Sequence, residues 1–501
     1  MTADRRSPAG WRWLGVGAAV GLAAASWGAG SRPTLHTAVL WPGLQWWSPS
    51  GGSPAAALVA VVAMAVLVLA WWRLRHAEVS LGWWWATAGA WFLPLVASVP
   101  LYSRDLYSYA AQGALWHQGL SPYEHTVREL DSPWRFSTAP TWLDSTAPYG
   151  PVFLLVARGV AAGSGGHLWL ALLLLRLVAV LGVVVMAWAV ADLAARLGVI
   201  SPERATWLGV ATPLVGAHFV SGGHNDALMV AGMLLALALA LRRRLVWAGV
   251  VLGLATMVKL TAIVALPFVV LLAQLPASSG VRSEVFRWRD RVREYLGPAV
   301  VGVAATAVTV VAVTFGTGLG WSWLNPAATS GKNEQWTSLP TGLGMAVGAV
   351  GHVLGHDDWR DTGIAVLRTV GLGVLALLLV VIWLRALRFA TDRALVVRAL
   401  GWALLAVVVL APAFLGWYFL WVLPVLAVSV AARPGSATRG RTRTWLAVAA
   451  TVLCFAQLPD GYSLGLTTTA VGVPVDLVVT VLLVRAGWRW ARRPRSSVPS
   501  S

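Results

Sequence analysis

Long apolar runs, repeated from one end of the chain to the other, restrict its fold more than any other feature. Stretches of about 18 or more residues rich in Leu, Val and Ala alternate with short basic loops. Hydrocarbon offers a backbone no water to bond, so it accepts only helices or the strands of a closed barrel. Barrel strands alternate apolar and polar residues, whereas these runs are continuous. The expected fold class is therefore an all-α polytopic membrane protein. Composition agrees: the 501 residues are 58% hydrophobic and 12% charged, with a mean hydropathy of +0.70. A soluble domain is nearer half apolar and one quarter charged.

Segments 11–30, 55–72, 81–98, 168–195, 205–220, 227–241, 245–258, 260–275, 296–317, 363–384, 397–410, 414–432, 444–456 and 464–484 give about fourteen candidate transmembrane helices. Segments 151–162 and 339–354 are too short or too rich in glycine to span and are expected to be re-entrant or interfacial. The start of the chain, with Arg5 and Arg6 before an apolar run, resembles a signal peptide. Its length favours an uncleaved first span. A single polytopic domain is expected over residues 1–485, followed by a basic tail over 486–501.

With the N-terminus in the cytoplasm, every basic cluster falls on the same side. These are Arg73 with Arg75, Arg196 with Arg204, Arg242-Arg243-Arg244, and the arginines at 282–293, 385–393, 433–443 and 485–495. The positive-inside rule asks for this arrangement, and it accounts for the +18 formal charge without a nucleic-acid partner. Both termini of a multi-pass plasma-membrane protein are then cytoplasmic. Two long loops, 100–167 and 318–362, and two short ones, 221–225 and 459–463, lie outside. Cys454 is the only cysteine, so no intramolecular disulfide can form. No P-loop, Rossmann glycine pattern, zinc spacing or serine nucleophile elbow is present. A soluble nucleotide-binding site is therefore unsupported.

The chemistry-bearing residues gather in the outer segments. Asp105, after Arg104 and among Tyr102, Tyr107 and Tyr109, suits a general base at a membrane surface, and burial against those rings is expected to raise its pKa. It equally suits a helix cap or an ion pair. Glu124, Glu129, Asp131 and Asp144 are further acids of the same loop, and Tyr149-Gly150-Pro151 marks a rigid turn. The run His224-Asn225-Asp226 follows Gly222-Gly223 at the lip of a span. Such a position marks a functional ionisable site, or an acid favoured by a helix dipole. The chain holds only two lysines, Lys259 and Lys332. Lys259 suits either a phosphate contact or a snorkelling interfacial charge. Gly416-Trp417-Tyr418, with Trp421, reads as an interfacial anchor or an aromatic mouth. Trp321, Trp323 and Trp336 read as belt residues or as platforms for sugar rings.

At these residues the chain resembles the actinobacterial polyprenol-phosphate-mannose-dependent α-(1→6)-mannosyltransferases, which are membrane glycosyltransferases of the GT-C type. The resemblance rests on the run Arg104-Asp105-Leu106-Tyr107-Ser108-Tyr109-Ala110-Ala111-Gln112-Gly113, on Pro122-Tyr123 and on Ala147-Pro148-Tyr149-Gly150-Pro151. It continues through Gly223-His224-Asn225-Asp226 and Trp417-Tyr418. The family's Pro-Tyr leads soon into Gly-Pro, whereas Glu124-His125-Thr126 follows here, a difference that bears on acceptor preference. The resemblance implies a catalytic carboxylate at Asp105, a polyprenyl-phosphate-mannose donor, a lipid-anchored mannan acceptor of the lipomannan type, and inversion at the anomeric carbon. Arg104, Lys259 or Lys332 would then face the leaving phosphate. His224, Asn225 and Asp226 would position substrate, with Tyr107, Tyr109, Tyr149, Trp336, Trp417 and Tyr418 lining the site. No cofactor is expected. A divalent metal held by loop acids is compatible with their chemistry, but their spacing does not call for one. The competing readings are a lipid-linked sugar flippase or transporter, and a non-catalytic scaffold of the cell envelope. Clustering of ionisable residues at one face, without repeated halves, favours the enzyme.

Overall fold

A computed structural model describes residues 7–31, 53–275, 288–324, 334–389, 392–430 and 437–491. Lys332, Arg5, Arg6 and parts of the basic loops and tail lie outside the described residues. Those described form helices joined by turns, with no strand among them, as the apolar runs require. The chain divides into two compact units, one comprising residues 1–332, 378–406 and 416–462, the other residues 333–377, 407–415 and 463–501.

The first unit opens with α1 (Pro8–Ala29), α2 (Pro54–Arg73) and α3 (Leu81–Val96), followed by α4 (Asp105–His117), α5 (Pro140–Leu143) and α6 (Pro151–Gly163). Then come α7 (Leu168–Leu197), α8 (Pro202–Gly209) and α9 (Pro213–Val215), which runs into a π-helical turn at Gly216–Ser221. Next are α10 (Asp226–Leu241), α11 (Leu245–Thr256), α12 (Leu266–Gln274) and α13 (Trp288–Thr317). The second unit contains α14 (Leu339–Val353). Helices α15 (Trp359–Phe389) and α16 (Arg393–Leu410) are divided between the units. The first unit closes with α17 (Phe419–Ser429) and α18 (Ala437–Leu453), and the second with α19 (Leu464–Thr467) and α20 (Thr469–Ala491).

Local sequence explains several boundaries. α1, α2 and α8 each start at a Ser-Pro pair, where the serine hydroxyl accepts from the amide three residues on and the proline occupies the first turn. α7 stops at Gly198, whose φ of 65° is the left-handed cap that glycine tolerates. In the first unit α2 is keyed by Trp71, which stacks on Trp207 at 4.8 Å. Each indole donates to the other residue's carbonyl, at 2.9 and 3.0 Å.

By length and composition the described residues hold five helices able to cross a membrane: Pro54–His76, Leu168–Leu197, Val292–Thr317, Trp359–Arg388 and Arg393–Leu410. A bent pair, Pro213–Ser221 with Asp226–Leu241, makes a sixth. The sequence suggested about fourteen. Part of the difference lies in the expected spans 245–258, 260–275, 414–432 and 464–484, whose apolar helices have only 10–17 residues and at about 1.5 Å per residue reach ~25 Å at most. The expected span 205–220 is corrected: it is broken into α8, α9 and the π-turn, and the chain bends by 116° before α10. Pro213, Gly222 and Gly223 supply the breaks, Gly223 at a φ of 61°.

Gly113 lets α4 lie directly on α6, since a methyl there would run into the Ala157 carbonyl. We expect Gly113→Ala to cost about 1–3 kcal/mol through overpacking. Thermal unfolding in detergent should show the lower midpoint, and an unchanged midpoint would remove this contact from the account.

Candidate functional site

α4 carries the candidate base at its first residue. The turn before it is unusual: Tyr102 has a φ of 64°, a region that non-glycine residues seldom enter. Its amide donates to the Pro459 carbonyl at 3.0 Å. Ser103 then accepts from the Asp105 amide at 3.1 Å, and Arg104 occupies the cap position. The Asp105 side chain is turned inward and is 12% exposed. One carboxylate oxygen accepts from Trp142 Nε1 at 2.9 Å. The other lies 3.4 Å from His224 Nδ1, an ion-pair distance that lacks hydrogen-bond geometry.

His224 reaches Asp105 because the 213–241 segment breaks. The π-turn ends at Ser221, two glycines reverse the chain, and His224, Asn225 and Asp226 follow at the N-terminus of α10. The His224 ring stacks on Trp417 at 4.0 Å, and His218, from the π-turn, approaches both rings at 5.7 and 5.4 Å. Among the described residues neither histidine ring has a hydrogen-bond partner, although both are fully buried. Buried polar groups without partners are costly, which sets these two rings apart from the apolar side chains around them.

Asp226 points to the other side of the same turn. Its Oδ1 accepts from Lys259 Nζ at 2.8 Å and from Trp421 Nε1 at 2.6 Å. The Lys259 ammonium also lies 4.7 Å from the Tyr418 ring centroid and 4.9 Å from that of Trp421, a two-sided cation–π contact. Lys259 arrives there through the Ala147–Pro151 motif. The Gly150 amide donates to Val258 O and the Val152 amide to Met257 O, both at 3.1 Å. Only glycine fits at 150, because a Cβ would strike the Met257 carbonyl. Tyr149 stands edge-on to Tyr109 at 5.2 Å, and the Tyr109 hydroxyl reaches Asn225 Oδ1 at 3.5 Å.

Of the residues singled out by sequence, Asp105, Tyr109, Tyr149, His224, Asn225, Asp226, Lys259, Trp417 and Tyr418 are thus joined by direct contacts. Arg104 adjoins them in the chain. Tyr107 is buried and donates its hydroxyl to Ser31 O at 2.7 Å. Trp336 belongs to the second unit, where its indole donates to Thr468 at 2.9 Å. Lys332 lies outside the described residues. Glu129 pairs with His125 and Asp144 with Arg128, in exposed positions. Among the described residues no three His, Cys, Asp or Glu side chains group in a manner suited to a metal.

Three expectations are corrected. Burial does act to raise the Asp105 pKa, but neighbouring His224, the Trp142 hydrogen bond and Lys259 outweigh it and hold the carboxyl below its ordinary value. Lys259 is not a free interfacial charge. Burial acts against its ammonium, yet Asp226 and the surrounding groups raise its pKa. Trp417 and Trp421 are 5% and 3% exposed and face the cluster rather than lipid. Sequence reasoning passed over Trp142, His218 and Arg176. Arg176 and His218 carried a signal, each being an ionisable residue inside an apolar run.

Residues 12–275 match the family model for alpha-(1→6)-mannopyranosyltransferase, N-terminal domain. The chain belongs to the α-(1→6)-mannopyranosyltransferase family. Residues 340–485 match the MptB C-terminal domain, and residues 147–412 match glycosyltransferase family 87. The chain is 33% identical to alpha-(1→6)-mannopyranosyltransferase A of Mycobacterium tuberculosis, over 87% of this chain and 83% of the relative. It is 30% identical to alpha-(1→6)-mannopyranosyltransferase B of Corynebacterium glutamicum, over 96% and 82%. No solved structure matches. As a member of this family the protein is a mannosyltransferase of the membrane-embedded GT-C class.

The Lys259–Asp226 pair is expected to be structural, with Lys259 17% and Asp226 1% exposed. Removing one partner of a buried pair costs about 3–5 kcal/mol, while replacing both by apolar groups costs far less. Lys259→Met should therefore destabilise strongly, and adding Asp226→Leu should recover most of the loss in denaturant unfolding. Equal stability of the single variant and the wild type would refute the pair's structural role.

Proposed function

We propose that the protein transfers mannose from polyprenyl-phosphate-mannose to a lipid-anchored mannan, forming α-(1→6) linkages at the outer face of the plasma membrane with inversion. The observation that carries this reading is the meeting of Asp105 with His224 across a broken span. An ionised carboxylate is thereby held in a largely dry aromatic enclosure. The relatives' names support the sugar and linkage, and the uniform side of the basic loops favours an orientation with both termini cytoplasmic.

In this mechanism Asp105 takes the proton of the acceptor hydroxyl as its oxygen attacks the anomeric carbon. The bond from that carbon to the phosphate oxygen breaks, and the lipid phosphate leaves with the bonding pair. One displacement inverts the centre and needs no covalent enzyme intermediate. His224 steadies the ionised Asp105 from 3.4 Å and, once the proton has moved, forms a hydrogen bond with substrate. The leaving phosphate needs positive charge. Because Asp226 already neutralises Lys259, Arg104 beside the base is the preferred source, with Lys332 from the second outer loop. Tyr109, Tyr149, Tyr418 and Trp417 give sugar rings apolar faces and exclude water, which strengthens each of these charge interactions.

Labelled polyprenyl-phosphate-mannose and a short α-mannoside acceptor, with protein in nanodiscs, test the reading. Wild type should transfer mannose, and Asp105→Asn should lower kcat about a hundredfold or more. Lipid movement without transfer would sink it. The pH dependence follows from the depressed carboxyl: held below its ordinary value by His224, Trp142 and Lys259, Asp105 stays ionised throughout the neutral and mildly acidic range. Its contribution to stability is present above the ordinary carboxyl value and lost as pH drops through the lowered one. Initial rates should thus be flat from about pH 8 to 5 with respect to the base. An acid limb near neutrality that disappears in Asp105→Asn would contradict the environment described.

A further inference from the structure

Arg176 sits within α7, an apolar membrane-length helix, and is 4% exposed. A guanidinium there is expensive, and in this structure it is met by three main-chain carbonyls. Nη1 donates to Val96 O at 2.7 Å and Ser98 O at 2.9 Å. Nε and Nη2 both donate to Ser221 O, at 3.2 and 2.8 Å. Val96 ends α3 and Ser221 ends the π-turn, so each carbonyl belongs to a helix end whose own partner is missing. Ser221 adds its side chain: its Oγ lies 2.7 Å from Ser98 Oγ and accepts from the Leu101 amide at 3.3 Å.

The two ends tied together lead into the two halves of the site. From Ser98 the chain passes through the strained Tyr102 to Asp105, and from Ser221 it passes through the glycine pair to His224. Capping alone would be served by separate hydroxyls or water. A planar fork that binds both ends instead fixes their separation, which a lysine ammonium cannot reproduce. We infer that Arg176 is a positioning residue for mannosyl transfer, setting the approach of His224 to Asp105 by clamping the ends of α3 and the π-turn. This inference rests on Asp105 acting as the base.

The test compares Arg176→Lys, Arg176→Gln and Ser221→Ala, each with Asp105 intact and as Asp105→Asn, in full-length protein in nanodiscs. Turnover, donor KM, pH profile and thermal midpoint are measured for each. Loosening the clamp should lower kcat about 10- to 100-fold, as small misplacements of reacting groups do, with donor KM unchanged. The acid limb should also move upward, because among the groups acting on the Asp105 carboxyl, His224, Trp142 and Lys259, only His224 is released. In the Asp105→Asn background the same changes should have no further effect. Loss by the same factor in both backgrounds, without movement of the limb, would reduce Arg176 to a purely structural role. Full activity of Arg176→Lys would overturn the proposal outright. If Arg176→Gln does not fold, Arg176→Lys and Ser221→Ala still decide. Wild-type turnover by Asp105→Asn would mean that the base assignment, and not the clamp, is at fault.

Discussion

A backbone that leaves the helical state inside an apolar bundle must find new partners for the amides and carbonyls it frees. The break between α9 and α10 meets that demand, and the arrangement of the candidate site follows from how it does so. The π-turn keeps its own hydrogen bonds, Gly222 and Gly223 reverse the chain, and Arg176 takes up the Ser221 carbonyl. The exit from α3 is satisfied by the same guanidinium. Discontinuous helices of this kind concentrate polar backbone and side chains where a membrane protein does chemistry. Here they bring Asp105 and His224 within 3.4 Å of each other.

Around that junction the structure separates two kinds of charge. Lys259 and Trp421 both donate to Asp226 Oδ1, and Tyr418 flanks the ammonium, so the Asp226 charge is neutralised at one oxygen while its Oδ2 has no hydrogen-bond partner among the described residues. Asp105 has no lysine or arginine within ion-pair distance among the described residues. One of its oxygens is held by Trp142, while the other has His224 near but not in hydrogen-bond geometry. A carboxylate that is ionised, desolvated and incompletely bonded can still accept a proton from an incoming hydroxyl. The ammonium on Asp226 and its deeper burial favour the proposed division, proton transfer at Asp105 and architecture at Asp226, though both stand at helix N-termini.

The aromatic residues acquire their roles the same way. In a chain with 31 tryptophans most rings are expected at the membrane interface. Trp142, Trp417 and Trp421 lie instead within the cluster, two of them through indole hydrogen bonds to carboxylates and the third through a stacked imidazole. Composition cannot separate such rings from belt residues, since both contexts favour a large apolar body with one polar edge.

The all-helical, membrane-embedded class was fixed by the sequence alone, because continuous apolar runs have one low-cost backbone solution in lipid. Motifs with special backbone demands were also legible: Gly150 against Met257, the glycine pair before His224, and the Ser-Pro helix starts are local requirements written in residue identity. The tertiary structure decided what depended on distance across the fold. It paired Lys259 with Asp226, thirty-three positions away, and it reversed the expected direction of the Asp105 shift by supplying His224 and Trp142. It also revealed Arg176 as the link between two helix ends. Pairing, desolvation and pKa depend on which groups come within a few ångströms of each other, and a linear pattern of residues does not encode those approaches.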